Sequence, residues 1–183
     1  MPDRGKLAVL TMFAVALAAA TFAWWWNYSR GQKCLAFYGA DAALLIRTAK
    51  DVELIELSPQ SDKPEDRTAD RLIVNGQTYL FDRITTISHA KGLIHARASI
   101  VDDTSFQWDA QPRDCISHVP YAVRFRSDDY NKRATLAFDF GCRRVSYVER
   151  QKSVELIPKV AEGWESFLSR LASEANKKNT DQQ

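Results

Sequence analysis

CISHVPYAVRFRSDDYNKRATLAFDFGC (115–142) is the segment on which the fold turns. Tyr121, Val123 and Phe125 alternate with Arg124 and Arg126, and Leu136, Phe138 and Phe140 alternate with Ala137 and Asp139. Successive side chains on a strand point to opposite faces, so each run predicts a strand with one buried face. The polar DDYNK between them (128–132) predicts the turn, and the two strands pair antiparallel. Cys115 precedes the first strand and Cys142 follows the second, so pairing brings their outer ends together. A Cys115–Cys142 disulfide is then sterically open outside the cytoplasm. Loop entropy makes such a bond worth about 3–4 kcal/mol. Two reduced, buried cysteines are the other reading, and Cys34 stays free beside the membrane.

Working outward, RRVSYVE (143–149) can add a strand. Pro158 suits the first position of a helix running to about Ala172, with Val160, Trp164, Phe167, Leu168 and Leu171 as its apolar stripe. Upstream, GADAALLIRTAK (39–50) predicts a helix capped by Asp41, with Leu44, Leu45, Thr48 and Ala49 on one side. VELIELSP (52–59) closes on Ser-Pro and predicts a strand, and QSDKPEDRTAD (60–70) a polar loop. RLIVNGQTYLFDRITTI (71–87) predicts a hairpin, because Asn75-Gly76 tolerates the positive φ of a two-residue turn. SHAKGLIHARASIV (88–101) predicts a second helix, capped by Ser88 and burying Ala90, Leu93, Ile94, Ala98 and Val101. DDTSFQWDAQPRDCISHVP (102–120) is a connection carrying some buried aromatics. There is no internal repeat. The order predicts an α+β domain: an antiparallel sheet with helices packed on one face.

Ahead of this domain, Leu7 to Trp26 carry no charge. As a helix they span about 30 Å, the thickness of a bilayer's hydrocarbon core. Arg4 and Lys6 precede the run, and Arg30 and Lys33 follow it. Trp24, Trp25, Trp26 and Tyr28 close it, the aromatic belt expected where a spanning helix meets the membrane interface. The competing reading is a cleaved signal peptide, with ALA (16–18) or AAA (18–20) as the cleavage site. Cleavage there would leave TFAWWW at a new N-terminus with its indoles unburied, which favours a retained transmembrane helix. The expected division is a tail and anchor over 1–33 (helix about 7–26), an α+β domain over 34–172, and a flexible polar tail over 173–183. Basic residues balance across the helix, so charge alone does not orient it. The short N-terminal tail suits a single-pass signal anchor with the domain on the extracytoplasmic side.

The chain of 183 residues holds 25 basic and 23 acidic side chains. Arg4, Lys6, Arg30 and Lys33 against Asp3 give residues 1–33 a charge of +3, which leaves −1 for the rest. The domain is nearly neutral, and nothing in it resembles the basic stripe of a nucleic-acid binder.

The order of pieces resembles a group of uncharacterised bacterial exported or membrane-anchored proteins. The resemblance covers about residues 40–148. It rests on AKDVELIELSP (49–59), CISHVPYAVRF (115–125) and FDFGCRRVSYV (138–148). The group often carries Pro-Arg-His after its first cysteine, where this chain has Ser117, His118, Val119 and Pro120. It often carries Cys-x-x-Cys at the second position, where this chain keeps Cys142 alone. The resemblance implies fold and location, and no activity.

Few residues point to chemistry. Cys115 and His118 have the spacing of a zinc pair or of a nucleophile and base, with Cys34 and Cys142 as further ligands. Only one close pair is present, and no oxyanion-hole motif accompanies it. His89 and His95 are six apart on the second helix, on opposite faces, and cannot share a metal. Asp102-Asp103 and Asp128-Asp129 read as a helix end and a turn. Arg143-Arg144 and Arg150-Lys152 form a basic cluster that could touch lipid head groups or protect a strand edge. No phosphate-binding glycine loop or hydrolase motif occurs. The sequence therefore predicts no catalytic residue, cofactor or metal. Its partners are the lipid bilayer, through the N-terminal helix, and an unknown protein or envelope component, with no nucleic acid. The leading expectation is a non-enzymatic binding or structural role. The alternative is an extracytoplasmic enzyme or thiol-redox protein using Cys115 or Cys142, and a cytoplasm-facing regulatory domain is a third option.

Overall fold

A computed structural model of the chain describes residues 4–29, 31–59, 70–111, 114–128 and 131–180. Helix α1 (Arg4–Ser29) is the apolar segment, about 39 Å long at 1.5 Å per residue. Among the described residues it is the single helix long and apolar enough to cross a membrane. Its span Gly5–Trp26 is not buried against the domain, and Trp24, Trp25 and Trp26 are exposed. Phe22 contacts the Trp25 and Trp26 rings. The side chain of Tyr28 and all of Arg30 lie outside the described residues.

The domain has an eight-stranded antiparallel sheet in the order β2-β3-β1-β5-β6-β7-β8-β4. Its long strands are β1 (Asp51–Pro59), β3 (Gln77–Thr86), β5 (Tyr121–Arg126) and β6 (Arg133–Asp139). The shorter ones are β2 (Arg71–Val74), β4 (Phe106–Gln107), β7 (Arg144–Tyr147) and β8 (Lys152–Leu156). Asn75 and Gly76 take φ of 51° and 82°, the left-handed pair that the β2–β3 turn requires.

Helices α2 (Gln32–Tyr38), α3 (Ala40–Thr48), α4 (Leu93–Ile100) and α5 (Pro158–Thr180) pack on one face. There Ile46, Leu93, Ile100, Trp164 and Leu168 meet Val52, Leu54, Phe125, Leu136 and Phe138 in the main core. The other face is covered by the chain's own hairpin. Opposite Glu56 and Leu57 the register shifts and Asp82 is left as the extra residue of a bulge, which bends β3. The β2–β3 hairpin folds back so that Leu72, Val74 and Tyr79 pack on Ile55, Ala122 and Ala137. Asn75 bonds Ser146 and Ser153, at 3.3 and 2.7 Å, and fastens the hairpin's tip to β7 and β8.

Several expectations are corrected. Gly39, not Asp41, precedes α3; Asp41 lies in the first turn and pairs with Lys132 at 3.5 Å. The buried face of α3 is Ala42, Ala43 and Ile46, whose small side chains bring the helix close to the sheet, and Leu44 and Thr48 face out. Ser88 does not cap α4; its hydroxyl accepts the Val52 N–H at 2.9 Å. That helix begins after Gly92, at φ 96°, and leaves Ile94 81% exposed. Ala98 is exposed as well. The last helix runs past Ala172 to Thr180. α2, β4 and β8 had no sequence counterpart. Residues 60–69 of the polar loop and 129–130 of the strand turn lie outside the described residues.

Candidate functional site

The cysteine pair is joined. Cys115 and Cys142 form a disulfide with Cα atoms 5.4 Å apart. Asp139, buried at the end of β6, organises the surrounding corner. Its carboxylate accepts the Ser117 hydroxyl at 2.7 Å and the backbone N–H of His118 and Cys142 at 2.9 and 3.0 Å. A Cβ at Gly141 would strike the Ile116 carbonyl, so the two segments touch through backbone there. Cys115 and His118 are exposed and Cys142 is half-buried.

The third cysteine sits elsewhere. Cys34, on α2, is 1% exposed within the main core. The Cys34, Cys115, His118 and Cys142 set is therefore not brought together: two members are bonded to each other and Cys34 faces Asp103. No cluster of metal-ligating side chains occurs among the described residues. The expected free, membrane-side Cys34 is free but not accessible. Burial first, then the Asp103 carboxylate, push its thiol far above the usual range, so it is a poor nucleophile.

Asp103 explains why α2 forms. Its carboxylate accepts the N–H groups of Gly31, Lys33 and Cys34 at 2.9, 3.1 and 2.7 Å, satisfying the first turn of a helix that has no cap of its own. Burial raises the Asp103 pKa. The N–H and thiol of Cys34, with the N–H groups of Lys33 and Gly31, outweigh it and hold the carboxyl below its usual value. A depressed carboxylate contributes stability that is whole above the unfolded value, about pH 4, and is lost as pH falls through the folded value. Asp103→Asn should cost about 2 kcal/mol at neutral pH, the worth of a hydrogen bond to a charged group, and should flatten the loss on acidification. Urea melts at pH 7 and pH 3 measure both. Cys34 should resist maleimide in the native wild type and react in the variant.

Beside Cys34 an open groove runs between α2, α3 and α4. Its wider end, about 600 Å³, is lined by Arg47, Ile94, Arg97, Ala98 and Asp102. Its narrower end, about 290 Å³, is lined by Cys34, Leu35, Ala40, Ala43 and Leu44. Gly31, Arg47 and Val101 border both ends. Leu35, Leu44 and Ile94 stand exposed around it. Arg97 lies over the Phe125 ring at 5.5 Å and reaches the Arg47 carbonyl at 3.5 Å, with its Nε buried and unpartnered. Burial lowers its pKa. Among the described residues Arg47 has no ion pair, because the nearby acids are engaged elsewhere: Asp102 accepts the Thr104 N–H and hydroxyl, and Asp103 holds α2.

Sequence reading missed this groove because it placed Ile94 and Ala98 on the core face of their helix and grouped Leu44 with Ala49 on one side of the other. His89 and His95 are exposed. The basic cluster is divided: Arg144 stands opposite Glu155 across β7 and β8, and Arg150 lies against Gly39.

Comparison with known protein families, with curated proteins and with solved structures finds no match.

Proposed function

We propose that the chain is a single-pass membrane protein whose domain lies on the extracytoplasmic side and acts by binding rather than by catalysis. The observation that carries this reading is the arginine-bearing, apolar-rimmed groove that opens at Gly31, two residues beyond α1. Exposed Leu35, Leu44 and Ile94 around unpaired cations are what a contact surface offers. The disulfide supports the extracytoplasmic side, since such bonds persist where thiols are oxidised. A photo-crosslinking residue at position 94, in cells expressing the full chain, should give an adduct to protein or lipid, and one at His118 should give none. Adducts at neither position would remove the binding reading. Protease added to intact cells or spheroplasts should digest the domain, and protection would reverse the orientation.

A second reading, an enzyme or thiol-redox protein using Cys115 or Cys142, is favoured by one observation. The only described atoms already joined in a redox-capable arrangement are this pair, and Cys115 is accessible. Structural disulfides hold potentials below about −300 mV and stay closed against glutathione. The Asp139 contacts that pin both cysteine segments predict that behaviour here. Reversible opening in a glutathione buffer, with a mixed disulfide trapped on Cys115 after Cys142→Ser, would replace the binding reading with the redox one.

A further inference from the structure

Resting on the binding reading, we infer that the groove's ligand is the anionic phospholipid of the bilayer that holds α1, with the headgroup phosphate at Arg47 and Arg97 and acyl chain against Leu35, Leu44 and Ile94. Placement is the first reason. α1 ends at Ser29 and Gly31 forms part of the groove wall. Two residues of chain reach about 7 Å at most, so the Gly31 edge of the groove stays within that distance of the end of α1, and a domain tilted toward the bilayer brings the rest of the groove to the lipid interface. Chemical order is the second. Arg47 stands where the two ends meet, with Leu35 and Leu44 on the narrow side and Arg97 and Ile94 on the wide side, so apolar contact and guanidinium adjoin as tail and phosphate do in a lipid. Unmet bonding is the third. Arg97 has a buried Nε without a partner and Arg47 has no described counter-ion, while Asp103 gives both oxygens to α2 and Asp102 accepts Thr104 through one of its two oxygens and pairs with neither arginine. Arginine is suited to phosphate because its planar fork donates two parallel bonds.

Exposed side chains next to a spanning helix insert when their apolar area is covered by lipid, and each cation near an anionic surface adds about 1 kcal/mol. That converts to roughly fivefold in the ratio of docked to undocked domain for each arginine. The domain would then lie down on the membrane through α2, α3 and α4.

The test uses the full chain in vesicles of phosphatidylcholine alone or mixed with phosphatidylglycerol. Ile94→Cys, labelled with an environment-sensitive fluorophore, reports position; native Cys34 is buried and stays unlabelled. Lipids brominated in their acyl chains should quench the label in the anionic vesicles. Arg47→Gln should lower the docked ratio about fivefold, and high salt should do the same, because exposed charges are screened. Arg47 is exposed at the end of α3, so this variant should keep its melting midpoint. Leu44→Gln is the second variant and should weaken quenching in both lipids. Equal quenching in the two vesicle types would overturn the phosphate half of the inference. A label that remains in water in both would overturn it entirely. In that case a protein adduct at position 94 in cells keeps the binding reading, with a protein as partner; no adduct removes both.

Discussion

Trp164→Ala should remove about 3–5 kcal/mol of stability, the usual cost of deleting a large buried aromatic side chain and leaving its cavity. Trp164 is 2% exposed. Its ring stacks on Phe138 of β6 with centroids 4.5 Å apart and meets the edge of Phe167 at 5.9 Å. Its indole N–H donates to the Ser99 hydroxyl at 3.2 Å. One side chain therefore joins three elements: it holds α5 on the centre of the sheet and fixes the end of α4 beside it. Trp164→Phe keeps much of the stack, abandons the Ser99 bond and part of the volume, and should cost about half as much. Denaturant melts of the full chain in detergent, followed by far-ultraviolet circular dichroism, measure both. A loss below about 1 kcal/mol for the alanine variant would mean that α5 is not clamped through this residue.

That prediction was legible in the sequence because Trp164, Leu168 and Leu171 recur at helical spacing, and periodicity is a robust local signal. The same holds for β5, β6 and the Asn75-Gly76 hairpin, where alternation and a turn with positive φ leave few options. What could not be read depends on distant partners. The rotation of α3 is set by the sheet: alanines at 42 and 43 let the helix sit close, and Leu44 is turned outward although it is the more apolar residue. α2 exists because Asp103, sixty-nine positions after Cys34, supplies the N–H acceptor that the local sequence lacks. β4 is two residues long and forms only by pairing with β8. The groove follows in part from these displacements, since Ile94 and Ala98, which local periodicity assigned to the interior, stand exposed along it. The disulfide corner was half-legible. Strand pairing placed the cysteines together, but the role of Asp139 depends on Ser117 and His118 returning to it from twenty-two and twenty-one residues away.

Opening the Cys115–Cys142 bond should lower stability by about 3–4 kcal/mol, the chain-entropy value for a loop closed by cysteines 27 positions apart. The folded corner has other supports: three hydrogen bonds to Asp139 and the backbone contact at Gly141. The cross-link therefore acts chiefly on the unfolded chain, which regains conformations when the bond is cut. Two consequences separate this from a loss of native contacts. The reduced protein should keep its native circular dichroism at low denaturant, and its denaturant dependence should steepen, because a less constrained unfolded chain exposes more surface. A double Cys115→Ser, Cys142→Ser variant should behave as the reduced protein does. Asp139→Asn should differ, since it leaves the cross-link and loosens the folded corner, lowering the midpoint without steepening the transition. Thiol counting links the same bond to the side of the membrane on which the domain sits. Protein extracted from its native membrane and unfolded without reductant should offer one reactive thiol, Cys34, and three after reduction. Three free thiols before reduction would place the domain in a reducing compartment, and the orientation proposed for the anchor would reverse with it.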